Sequence, residues 1–121
     1  MKPSTTDLPR TNDSIRSARQ MVAAQSTSLT QARGDDAGLM VSELVTNALC
    51  HGSGPITLRI TCGPADLMVE VADEGHGRVE INTAPGTAGG WGLRIVDELA
   101  DAWGAHHGST RVWFRVRLDS A

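Results

Sequence analysis

Three groups of residues in this 121-residue chain have types and spacing that could do chemistry. The first is Glu43, Asn47 and His51 in the stretch SELVTNALCHG. A spacing of four puts them in one row on a helix, one turn apart. An amide oxygen suits a hard cation such as Mg²⁺, which keeps several waters and takes the rest of its shell from substrate phosphates. A carboxylate beside it can accept a proton from a hydroxyl or water aligned on a phosphate. Such a row either faces water or lines a cavity, and the residue types alone leave both open. The second group is Asp73-Glu74-Gly75-His76-Gly77, directly after an apolar run. Gly-x-Gly behind an Asp lets a ring or a phosphate approach the backbone, with the carboxylate accepting from an exocyclic amine; an ordinary turn has the same composition. Gly89-Gly90-Trp91-Gly92-Leu93 is the third. Glycines opening a helix present unpaired N–H groups and the positive end of the dipole to an anion. No Gly-Lys-Ser/Thr follows, so it is not a Walker loop, and it does not fit the dinucleotide fingerprint.

These groups need elements to hold them. Residues 1–13, rich in Ser, Thr, Pro and Asp, read as a frayed start with a short edge strand near Thr5–Leu8. A helix begins at Asp13 or Ser14, with Ile15, Ala18, Met21, Val22 and Leu29 as its apolar stripe. Gly34 is expected to stop it, and Asp35-Asp36 to cap the next helix. That helix, 37–50, carries an apolar face of Leu39, Met40, Val41, Leu44, Val45, Ala48 and Leu49. His51-Gly52-Ser53-Gly54-Pro55 ends it. The period then changes to two: Ile56, Leu58 and Ile60 alternate with Thr57, Arg59 and Thr61. Gly63-Pro64-Ala65-Asp66 turns the chain into a returning strand, Leu67 to Ala72. The glycine-rich stretch from Asp73 to Gly92 is long for a loop in a small domain, which usually marks function. A helix from Leu93 to about Ala102, a strand near 104–107 and a terminal strand with Val112, Phe114, Val116 and Leu118 inward complete the pass. Hairpin-joined strands with helices set apart predict an α+β fold: a two-layer α/β sandwich, its mixed but mostly antiparallel sheet covered by helices on one face. Residues 1–12 are expected as a flexible N-terminal segment and 13–121 as a single domain.

Composition narrows the classes. Eleven Lys and Arg against fourteen Asp and Glu leave a net charge of −3, which disfavours direct nucleic-acid binding through phosphates. Aromatics at 3% offer no base-stacking surface. Cys50 and Cys62 form no C-x-x-C pair and read as reduced thiols. No leader or apolar run long enough to span a membrane is legible, so a cytoplasmic location is expected. His106-His107 read as strand-turn histidines, and Trp91, Trp103 and Trp113 as packing residues.

Taken in order, Glu43-x3-Asn47, Asp73-x-Gly75-x-Gly77, Gly90-x-Gly92-Leu93 and Thr110 before the last strand resemble the GHKL (Bergerat-fold) ATP-binding superfamily over roughly residues 35–118. VSELVTNALCHG, GWGLRIVDELADAWG and STRVWFRV look most like bacterial anti-sigma-factor serine kinases. The resemblance implies ATP and Mg²⁺ as cofactors. It implies that Asn47 coordinates Mg²⁺ and that Glu43 is the general base toward a protein serine. It further implies that Asp73, supported by Thr110, reads the adenine amino group, that Gly75 and Gly77 shape the adenine pocket and lid, and that Gly90, Gly92 and Leu93 open the helix that holds the phosphates. Its partners would be a sigma factor or a STAS-type anti-anti-sigma protein, with a homodimer also expected from this resemblance. Sensor kinases, chaperones and topoisomerases of the superfamily carry further segments not seen here. Arg78 is the only Lys or Arg between Gly75 and Gly92. That leaves a nucleotide-binding module without kinase turnover as the second reading, and a domain without nucleotide as the third.

Overall fold

The computed structural model describes residues 3–75, 90–105 and 111–118. Within them the order is β1 (Ser4–Leu8), α1 (Asp13–Gln25), α2 (Gln31–His51), β2 (Ile56–Cys62), β3 (Asp66–Ala72), α3 (Gly90–Leu99), β4 (Ala102–Ala105) and β5 (Val112–Arg117). The five strands form one sheet in the order β1-β2-β3-β5-β4. Every pairing is antiparallel, so the expected mixed character gives way to a purely antiparallel sheet among the described residues.

Side-chain period fixes the register. Ile56, Leu58 and Ile60 of β2 are buried, as are Leu67, Val69 and Val71 of β3 and Val112, Phe114 and Val116 of β5. Leu58 sits opposite Val71, and Val69 opposite Phe114. Full burial of such side chains stabilises by roughly 1.5–3 kcal/mol each, and a one-residue slip would turn a whole set outward. The helices cover this face: Ala18 and Val22 of α1, Met40, Val41, Leu44 and Val45 of α2, and Leu93 and Val96 of α3 complete one core. The fold is therefore the expected two-layer α/β sandwich.

Several boundaries differ from the sequence reading. α1 ends at Gln25, and Leu29 lies beyond it, partly buried against the core. Ser26 makes the break: it is buried, its hydroxyl donates to Val22 O, and its carbonyl accepts the Leu29 N–H at 3.0 Å. Thr30, not Asp35-Asp36, caps α2, its hydroxyl accepting from Arg33 N–H at 3.2 Å. Gly34 consequently sits inside α2, where a Cβ would meet nothing within 4 Å. Leu39, assigned by its spacing to the apolar face, is 44% exposed. α3 starts at Gly90 rather than Leu93 and stops at Leu99. It stops because the sheet captures Asp101: its N–H donates to Arg115 O at 2.9 Å and its carboxylate accepts from Arg117 N–H at 2.6 Å. The next strand begins at Ala102 for the same reason, two residues before the expected start. Within the N-terminal segment, β1 pairs with β2 from Ser4↔Ile60 to Leu8↔Ile56, and Leu8 is buried.

Candidate functional site

α2 carries the polar row, and its neighbours decide where that row points. Arg33, in the first turn of α2, donates to Asp36 at 2.8 Å, to Asp101 at 3.2 Å and to the carbonyl of Leu99, the last residue of α3, at 3.0 Å. The C-terminal end of α3 is thus tied to the N-terminal end of α2, so the two packed helices run antiparallel. Ten residues of α3 span about 15 Å, which brings the Gly90 end level with the Glu43 region of α2. Glu43 and Asn47 lie about two and about three turns beyond Asp36, on the flank that Arg33 and Asp36 mark as facing α3. Both are half-buried. Glu43 and Asn47 are thus partly shielded on this flank, whereas His51, the last of the row, is exposed.

The C-terminal end of α2 meets the second motif. Gly52 caps the helix, its N–H donating to Ala48 O at 2.9 Å. A Cβ built on Gly52 would lie 1.8 Å from Oδ2 of Asp73 and 2.7 Å from Ala48 O. The Asp73 carboxylate thus rests directly on the backbone of the helix end, about 7.5 Å along the axis from Asn47. Its Oδ2 is shut off from solvent, and its Oδ1 accepts the Gly75 N–H at 2.6 Å. The next residue continues the contact: Glu74 N–H donates to Ser53 O at 2.8 Å. Gly54 has φ +71°, a conformation that only glycine adopts without cost, and a Cβ there would strike the Glu74 side chain at 2.3 Å. Residues 73–75 therefore dock on 52–54 by backbone contact, and both glycines are required for the approach.

The structure brings Glu43, Asn47 and His51 onto one helix and sets Asp73 and Gly75 against its end. Gly90 and Gly92 lie in the first turn of α3, and Leu93 is buried at 2% exposure, so its part in any site is to seat the helix in the core. Gly77 and Thr110 fall outside the described residues, as do His76, Arg78, His106 and His107. Sequence reasoning missed Gly52 as a contact residue, having read it only as a helix stop. It also missed Arg10, whose guanidinium reaches the carbonyls of Ala48, Leu49, Gly52 and Gly54. Nothing in a Pro-Arg-Thr stretch signals a partner some forty residues away. On the other face of the sheet, a groove of about 260 Å³ runs past Thr57, Arg59, Glu70 and Arg111 to Asp73. Arg111 pairs with Glu70 at 3.4 Å there.

The chain thus combines an antiparallel sheet backed by helices with an Asp-x-Gly turn docked on the end of the helix that carries the polar row. The family model of the histidine kinase-like ATPase domain matches residues 7–117, and the chain belongs to that family. It is accordingly an ATP-binding domain of the GHKL type. No curated protein sequence matches the chain. No helix among the described residues is long and apolar enough to cross a membrane.

Proposed function

We propose that this chain is a regulatory protein serine/threonine kinase of the anti-sigma-factor type. It binds ATP in the α2–α3 seam and transfers the γ-phosphoryl group to a serine of a STAS-type anti-anti-sigma protein, and it also engages a sigma factor. The observation that carries this reading is the half-buried pair Glu43 and Asn47 on the flank of α2 facing α3, Asn47 about one and a half turns from the Asp73 carboxylate.

In this reading Asp73 accepts from the adenine amino group, supported by Thr110, while Gly75 and Gly77 keep the pocket and lid open. The first turn of α3, with Gly90 and Gly92 ahead of the anchored Leu93, offers backbone N–H groups to the phosphates. Asn47 presents an amide oxygen to Mg²⁺. Among the described residues no three His, Cys, Asp or Glu side chains gather as a metal cage. That donor set fits an ion which takes most of its shell from phosphates and water, and Mg²⁺ would supply charge neutralisation on the phosphates when bound. Glu43, on the same flank, takes the proton from the attacking serine hydroxyl.

Incubation with γ-labelled ATP and a STAS-type protein tests the proposal. Glu43→Ala should bind ATP within about threefold of wild type yet lose label transfer by on the order of a hundredfold or more. Equal transfer by that variant overturns Glu43 as the base. Binding without transfer by the wild type supports the second reading, a nucleotide-ordered interaction module, which the single lid cation Arg78 favours.

A further inference from the structure

Helix C-termini leave their last carbonyls without intrahelical partners, and water usually satisfies them. At the end of α2 one side chain does so instead. Arg10, two residues past β1, donates from Nη2 to Ala48 O at 3.0 Å, to Leu49 O at 3.1 Å and to Gly52 O at 3.1 Å, and from Nη1 to Gly54 O at 3.1 Å. Nη2 carries two hydrogens and meets three carbonyls, so at least one hydrogen is shared. A planar cation at the negative end of the helix dipole is well placed, and the fork joins two segments: the last helical turn and the 52–54 turn beyond it.

That second segment forms the wall behind Asp73. The Gly52 backbone touches its carboxylate, and Ser53 O holds the Glu74 N–H at 2.8 Å. Arg10 thus holds the Gly52 and Gly54 carbonyls of the wall, while the Glu74 N–H holds the Ser53 carbonyl between them. The last carbonyls of a helix fray easily unless tied. With the fork removed, residues 52–54 lose two hydrogen bonds to a charged donor and the last helical turn loses two more, and Asp73 loses a fixed backing.

We propose that Arg10 is a positioning residue that sets base specificity: by clamping residues 48–54 it fixes the Asp73 carboxylate, so that the site tells ATP from GTP. The inference rests on the nucleotide reading given above. A carboxylate held in place accepts from the 6-amino group of adenine and repels the 6-oxo group of guanine. A carboxylate with room to turn away loses both effects.

The test compares dissociation constants for Mg·ATP and Mg·GTP, by calorimetry on the full chain, in wild type, Arg10→Ala and Arg10→Lys. Wild type is expected to prefer ATP. Arg10→Ala should lower the ATP-to-GTP preference by roughly tenfold, mostly through weaker ATP binding. Arg10→Lys should fall between the two, because a single ammonium cannot span both segments. An unchanged preference in Arg10→Ala overturns the inference whatever happens to its melting temperature, since loss of stability alone would not alter the ratio. If Arg10→Ala does not fold, Arg10→Lys carries the test, and a wild-type preference in that variant overturns it. Failure of the wild type to bind ATP overturns the nucleotide reading and this inference together; wild-type binding with an unchanged ratio overturns this inference alone.

Discussion

At the residue scale, the approach of the Gly52 backbone to the Asp73 carboxylate is the tightest contact at any described glycine. Gly52 has an ordinary φ of −94°, so conformation does not demand glycine there; space does. Gly52→Ala must displace the Asp73 side chain, which can swing, and also ease the Ala48 carbonyl, which belongs to the helix backbone. We expect a loss of about 1–3 kcal/mol in urea unfolding, together with weaker ATP binding by calorimetry. The Glu43–Asn47–His51 row was legible from its spacing because an apolar helix makes every polar residue conspicuous. Asp73 was legible as a strand-end acid. Its backing was not, since Gly52 and Arg10 are forty-two positions apart and no local pattern links a lone arginine to a helix end.

At the element scale, strands read more faithfully than helix ends. The alternation from Ile56 to Ile60 located β2 and its buried face because one slipped residue would expose three aliphatic side chains. Helix boundaries depend instead on single hydrogen bonds. Thr30 and Asp35 are both good capping residues, and only the docking of Ser26 and Leu29 decides between them. Gly34 carries the cost of that outcome, sitting in helical conformation with open space around it. Gly34→Ala should stabilise the protein by roughly 0.5–1 kcal/mol, read as a higher urea midpoint with an unchanged slope. Likewise the end of α3 was set by long-range capture of Asp101 by the sheet, and an apolar period alone carried the helix too far.

Across the whole molecule, the first dozen residues do more than lead in. β1 occupies one border of the sheet, Leu8 enters the core, and Arg10 grips α2. A chain beginning at Asp13 should therefore bind ATP more weakly, and light scattering should show it self-associating. The second effect follows from what β1 hides. It is five residues long, bounded by Pro3 and Pro9, and carries Asp7, all features that discourage a stranger from pairing with it. Behind it, ITLRITC is seven residues of strand-forming sequence with one charge and no proline. β1 is thus a sacrificial fence: it presents a poor template to passing chains so that the sticky strand beneath never becomes one.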